Sequence, residues 1–297
     1  MPSAGTPFLG EILSIATALI WAGGVVLFKK SGESMQPMAL NIFKNIVALV
    51  LFVPTIPLFG ESFLPDQPAK DWVLLAVSGF LGIAIADTLF FISLNKLGAG
   101  LVAVVDTMYT PFVLALSFVF LKEHLGPRQI AGAVLIMIAL IVGSASKPEP
   151  GRTRKDIVEG VLIGILNMAL VSVGIVLIKE VLNRAPMIWC ATFRLAVGAT
   201  CLVPLILLSR NRTQLLSSLR PSRRFLFPAL AAVLGSYLSM ILWIGGMKYT
   251  QVSIAAVLNQ LSTIFIFVLA VLFLKEPLTR RRVAAIVLAL AGALLIM

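Results

Sequence analysis

The chain has 297 residues, of which 59% are hydrophobic and only 12% charged, and its mean hydropathy is +1.03. Soluble globular domains carry roughly 25% charged residues, so this composition excludes a soluble domain and makes the chain a membrane protein. The formal net charge of +11 would point to nucleic acid in a soluble protein; here Lys and Arg lie between apolar runs, where they set topology and meet anionic lipid, and no nucleic-acid partner is expected.

From the N-terminus, apolar runs cover residues 8–28, 38–59, 72–94, 100–121, 128–146, 157–178, 187–208, 225–247, 251–274 and 281–297. A hydrocarbon core about 30 Å thick takes roughly 20 helical residues. In lipid each run must satisfy its own backbone, so the ten runs are read as helices and not strands. The breaks are local: Ser31-Gly32 with Pro37, Pro65 with Pro68, Gly98 with Gly100, Gly126-Pro127, Pro148 to Gly151, Pro186, Pro221, Thr250, and Pro277 to Arg282. Short connections make successive helices antiparallel neighbours. The first run has no basic region before it and continues past Trp21 to Lys29-Lys30, so no cleavable leader is expected. Trp72 and Trp189 open helices and read as interfacial anchors.

Two stretches of this series repeat. Leu121-Lys122-Glu123 recurs as Leu274-Lys275-Glu276, and at the same offset of 153 Gly82 falls on Gly235, Phe112 on Phe265 and Arg128 on Arg281. At an offset of 150, Gly24 meets Gly174, Phe43-Lys44 meets Phe193-Arg194 and Pro54 meets Pro204. The repeat unit is therefore about half the chain: residues 1–146 form a first five-helix repeat, 147–156 a connecting loop and 157–297 a second repeat. Five is odd, so the second copy enters the membrane from the opposite side. The expected fold is an all-α membrane protein with ten transmembrane helices in two inverted five-helix repeats. That ground plan belongs to secondary transporters, because two related halves that exchange conformations open a central site to either side in turn. One set of connections holds sixteen Lys and Arg and the other six, which places the sixteen in the cytoplasm and both termini outside.

A charge near the bilayer centre costs roughly 2.5 to 3.5 kcal/mol and asks for a reason. Asp87 lies ten residues before Leu97 and Asp106 nine after it, so a tight hairpin puts both roughly 13 to 15 Å from the turn. Lys44 enters from the same side, a few residues into the second helix. One carboxylate can pair with Lys44 while the other, desolvated and near a like charge, suits the carrying of a proton. Against this stands a plainer reading in which Lys44 snorkels to the interface and each Asp bonds a neighbouring helix. In the second copy Arg194 replaces Lys44, Asn259 replaces Asp106 and Met240 stands at the place of Asp87. Such asymmetry suits a substrate with chemically different ends, or asymmetric packing. Trp21, Tyr109, Tyr237 and Trp243 sit further into their helices, where a ring with a polar handle can line a cavity. Asn41, Asn45, Asn167 and Gln260 add neutral hydrogen-bonding capacity, typical of contacts between membrane helices. Lys44, Asp87, Asp106, Tyr109, Trp21, Arg194, Tyr237, Trp243 and Asn259 are the candidates for substrate binding or coupling.

Other classes fit less well. An embedded enzyme needs a metal cluster, a His pair or a nucleophile with its base, whereas the one histidine, His124, stands in a short connection. A channel normally builds its pore from symmetric subunits, and no nucleotide-binding loop is present. No cofactor or metal is expected. Cys190 and Cys201, eleven residues apart in one run, would stand roughly 16 Å apart along a helix and cannot bond each other. Small residues in the fifth run (Ala131-Gly132-Ala133) and the tenth (Ala291-Gly292-Ala293) suit close helix contact, inside one monomer or in a homodimer.

With the five-helix duplication, Phe43-Lys44 and Phe193-Arg194 early in the second helix of each half, and Leu-Lys-Glu ahead of the last helix of each half, the chain resembles the drug/metabolite transporter superfamily, specifically its EamA-type members, over nearly its whole length. The resemblance implies a basket-like bundle in the inner (plasma) membrane with a central cavity between the halves. It also implies export of amino acids or related small polar metabolites by alternating access; members also carry drugs, nucleotide sugars and sugar phosphates. Lys44 and Arg194 match the common basic position of that family. Asp87 and Asp106 match none of its motifs.

Overall fold

The structure, a computed structural model, describes residues 8–143, 153–209, 211–219, 225–274 and 280–296. Lys275 and Glu276, which close the second copy of the repeated tripeptide, lie outside these residues, as does the connecting loop up to residue 152. Among the described residues there is helix and no strand. Seven helices are long and apolar enough to cross a membrane: α1 (Leu9–Ser31), α2 (Pro37–Leu58), α3 (Ala69–Ala99), α4 (Leu101–Leu121), α6 (Arg154–Arg184), α7 (Met187–Leu208) and α9 (Leu226–Tyr249). Between and after them come α5 (Pro127–Gly143), the short α8 (Arg212–Ser218), α10 (Val252–Asn259), α11 (Leu261–Leu274) and α12 (Arg280–Ile296).

Local chemistry sets the boundaries. Pro37 starts α2 in the first turn, where its missing N–H costs nothing. Gly98, at φ 80°, turns the chain between α3 and α4 in a conformation that a side chain would oppose. Thr153 caps α6, its hydroxyl accepting from Asp156 N at 3.1 Å. Within α3 and α9 the ladder widens to a π-helical turn over Phe80–Ala86 and Ala232–Leu238. The two stretches hold Gly82 and Gly235, the pair aligned by the sequence repeat.

Packing runs crosswise between the two parts of the chain. The α1 helix lies against α9, α10 and α11, while α6 lies against α3 and α4. The α2 helix touches α7 and α9, and α7 in turn touches α3. The glycines of the repeat serve these contacts: a Cβ on Gly24 would stand 2.9 Å from Gly235 Cα, and one on Gly174 3.4 Å from Ser78 Oγ. Such close approach is what small residues permit between membrane helices. The outer faces carry exposed Val50, Phe120 and Ile141, the arrangement a lipid solvent favours.

Two expectations change here. The small faces of α5 and α12 pack on each other, with Gly132 O 2.7 Å from where a Cβ on Gly292 would be, so this pair of stripes is used within the monomer. Trp189 is 2% exposed, edge-on to Trp72 and stacked on Phe193, and its Nε1 donates to Phe63 O at 3.1 Å. It is packed inside protein and not anchored in the lipid interface, because the 59–68 connection folds over it and offers the ring nitrogen a carbonyl.

Candidate functional site

A short polar chain begins on α2. Asn41, Lys44 and Asn45 are three and four residues apart, so they share one helical face, and all are buried. Lys44, 4% exposed, donates to Asp87 Oδ2 at 2.7 Å and to Asn45 Oδ1 at 2.9 Å. Asn45 Nδ2 passes the chain to Asn41 Oδ1 at 3.1 Å. Asn41 Nδ2 ends it on Ile83 O at 2.9 Å and Thr88 Oγ1 at 2.9 Å. Ile83 belongs to the π turn of α3, whose wider ladder displaces carbonyls from their usual partners. Asn41 thus satisfies a group exposed by the turn, and Lys44 pairs internally instead of snorkelling.

Asp87 opens onto a cavity of about 180 Å³ enclosed by α1, α3, α4, α6, α9 and the junction of α10 with α11. Six of the nine candidate residues line it: Trp21, Asp87, Asp106, Tyr109, Trp243 and Asn259. Lys44 stands behind Asp87. Asp106 sits at the start of a 3₁₀ turn, Asp106–Met108, and its backbone carbonyl accepts from Gln260 Nε2 at 3.0 Å. Its carboxylate makes no hydrogen bond or ion pair with any described residue. Three further wall residues hold buried polar atoms without a partner: Asn167 Oδ1, both amide atoms of Asn259, and Tyr109 Oη, which lies beside Trp243 without a hydrogen bond of ordinary geometry. Buried groups of this kind are normally satisfied, and four of the six unsatisfied side-chain atoms among the described residues lie around this one space.

The other two candidates lie outside the lining. Arg194, 2% exposed, donates from Nε to Ser78 Oγ at 3.0 Å, and Ser78 Oγ donates in turn to Gly174 O at 2.6 Å. Its guanidinium carbon lies 5.5 Å from the Trp243 ring centroid, Nη1 has no partner, and no carboxylate among the described residues forms an ion pair with it. Tyr237 bridges α2 and α9: its hydroxyl shares a 2.7 Å hydrogen bond with Thr55 Oγ1, and its ring meets Phe52 edge-on at 5.1 Å.

Phe90 and Thr17, absent from the sequence-based candidates, also line the cavity. Their spacing is a signal that points to them, since Phe90 follows Asp87 by three residues and Thr17 precedes Trp21 by four. Ser78, which holds Arg194, carries no comparable signal.

At the end of the bundle where α4 meets α10, Glu123 proves to be a cross-link. Its carboxylate accepts from Val252 N at 3.0 Å, Ser253 N at 2.9 Å and Ser253 Oγ at 2.7 Å, capping α10. Glu61 does the same for α7, accepting from Ile188 N at 3.2 Å and Trp189 N at 2.7 Å. Asp71, fully buried, is held by Arg184, with Nε to Oδ2 at 3.0 Å. A carboxylate at a helix N-terminus meets free N–H groups and the positive end of the dipole, so Glu61 and Glu123, each in a connection of the first part of the chain, clamp helices of the second.

Known proteins share this architecture. The model of the EamA-like transporter family matches residues 8–144 and 158–297. Protein PecM of Dickeya dadantii is 24% identical over 84% of this chain and 82% of its own length. An uncharacterized transporter of Archaeoglobus fulgidus is 22% identical over 95% of this chain and 96% of its own. Another, of Methanothermobacter thermautotrophicus, is 23% identical over 89% and 79%. One solved crystal structure superposes with a TM-score of 0.77 at 20% identity, covering 96% of this chain and 95% of that one, which shows a shared fold.

Proposed function

The chain belongs to the EamA-like transporter family, and from that premise we propose that it is a secondary transporter of the inner membrane exporting amino acids or similar small polar metabolites by alternating access. The observation that carries the reading is the cavity itself, a space inside an apolar bundle where Asp106, Asn167 and Asn259 present polar groups that no described residue satisfies. A cargo that is polar in water and must cross lipid needs such groups to replace its hydration. In this reading residues 1–146 and 157–297 are two inverted five-helix halves, and the crosswise contacts of α1 with α9 and α6 with α3 support it. The halves exchange conformations around the cavity, with Asp87 and Asp106 as the groups through which a proton gradient would act.

The test is counterflow in proteoliposomes with a panel of labelled amino acids, amines and nucleosides. Accumulation of at least one panel member is expected, and a panel in which nothing moves counts against the export reading. Asp87→Asn is expected to weaken pH-driven transport while leaving downhill exchange partly intact, and Asp106→Asn to weaken pH-driven transport; full pH dependence in both variants would remove these residues from coupling. Orientation is read by labelling Ser217→Cys on α8, which is expected to be inaccessible from outside.

A further inference from the structure

The acidic and aromatic lining of the cavity narrows the cargo within the small polar metabolites, away from amino acids, on the premise that the transporter reading above holds. We propose that the cavity takes a small amine that has a flat apolar ring and no carboxylate, with its protonated nitrogen on Asp106 and its ring against Trp21, Phe90 and Trp243.

Asp106 and Asp87 are the acidic residues of the lining, and of the two only Asp87 is paired with a cation among the described residues. Asn167 is 1% exposed and its Oδ1 has no partner among the described residues; Asn259 Oδ1 is in the same state, and the Asp106 carboxyl adds an acidic group. Neutral donors also face the space, from Asn259 Nδ2, the lining residues Trp21, Trp243 and Asn167, and the hydroxyl of Tyr109, which is 7% exposed and can act either way. A carboxyl without a partner among the described residues, in a space whose lining holds no cation, is best satisfied by a ligand that carries positive charge and N–H donors.

A carboxylate on the ligand fits poorly. Lys44 Nζ is already committed to Asp87 and Asn45, and neither Lys44 nor Arg194 lines the cavity. Arg194 Nη1 is sealed inside the protein. A second carboxylate would therefore face Asp106 with no free cation in contact, and like charges repel strongly away from bulk water. The aromatic side of the wall favours the same ligand. Trp21 and Phe90 stand 5.5 Å apart and tilted at 45°, and Trp243 lines the cavity with them, which suits both a planar ring and a nearby cation.

Phenethylamine, phenylalanine and hydrocinnamate share a ring and differ in amine and carboxylate, so titrating each into the purified full-length protein separates the possibilities. Binding is read from the fluorescence of Trp21 and Trp243 and from thermal unfolding. Phenethylamine is expected to bind saturably, phenylalanine at least about tenfold more weakly, a difference of about 1.4 kcal/mol, and hydrocinnamate not at all. Asp106→Asn is expected to abolish amine binding, Asp106→Glu to retain part of it, and Asn167→Ala to weaken it by about tenfold. Should Asp106→Asn fail to fold, Asn167→Ala decides the matter. Phenylalanine or hydrocinnamate binding as tightly as the amine overturns the proposal, as does unchanged amine binding in a folded Asp106→Asn protein. If no amine binds while another panel member shows counterflow, the amine inference falls and the transporter reading stands. If the amine binds and nothing shows counterflow, the reverse holds.

Discussion

Lys44 on α2 and Arg194 on α7 occupy matching positions of the sequence repeat, yet their surroundings differ in kind. Around Lys44 the charge is cancelled by Asp87, and the remaining capacity runs through Asn45 and Asn41 to the π turn of α3. Around Arg194 the places of those amides are taken by Ala191 and Leu195, and the guanidinium leans on Ser78 and the Trp243 ring, with no ion-paired carboxylate among the described residues. The contrast teaches that a duplicated scaffold can keep a buried cation in both copies while solving its desolvation differently. Ammonium is a compact, strongly hydrated charge that needs a counter-ion; guanidinium is weakly hydrated, planar and stacks on a ring.

The largest effect should follow from breaking the balanced side. Asp87→Ala strands Lys44 and is expected to cost about 3 kcal/mol of stability, the low end for a buried pair because the Asp87 side chain is 24% exposed to the cavity. Unfolding in mixed micelles measures it, and Lys44→Met combined with Asp87→Leu should recover most of the loss. If the double variant is as unstable as the single one, charge pairing is not what the site provides.

Next in size is the neutral end of the same chain. Asn41→Ala leaves the Ile83 carbonyl and the Asn45 amide without their partner and should cost about 1 to 2 kcal/mol. The matching change in the other copy, Ala191→Asn, should bring no comparable gain in the same unfolding assay.

On the unbalanced side, Arg194→Lys loses the Nε hydrogen bond to Ser78 and the guanidinium contact with the Trp243 ring, at about 1 kcal/mol. Arg194→Met should differ from wild type by no more than about 1 kcal/mol in either direction, since no ion-paired carboxylate is stranded. A drop as large as that of Asp87→Ala would show that Arg194 has a counter-charge after all.

The smallest effect on stability belongs to Asp106. Its side chain has no hydrogen-bond or ion-pair partner among the described residues, so Asp106→Asn should shift unfolding by no more than about 0.5 kcal/mol while amine binding is lost. A large destabilisation there would make Asp106 a structural group and would blur the line between packing and cargo site.

Part of the candidate site is legible in the amino-acid sequence. Lys44 and Asp87 stand out as charges inside apolar runs, and the cost of an unpaired charge in lipid predicts that they find a partner. Asp106 stands out for the same reason, yet it has none among the described residues, and no local rule separates the two carboxylates. Glu123 has, in sequence, only the character of a polar residue that follows an apolar run. Its capping of α10 depends on where a segment 129 residues later in the chain is placed.

The sequence by itself determined the solvent, the all-helical class and the residues that recur, because span length, backbone satisfaction and repeated residues are properties of local segments. Tertiary structure decided which faces of those helices meet, and so which polar atoms are paired and which are turned into the cavity. In water a helix declares its inner face by an apolar stripe. In lipid both faces are apolar, so the rotation of α1, α4 and α6 about the cavity is fixed by close packing and hydrogen bonding between helices and leaves little trace in the hydrophobic pattern.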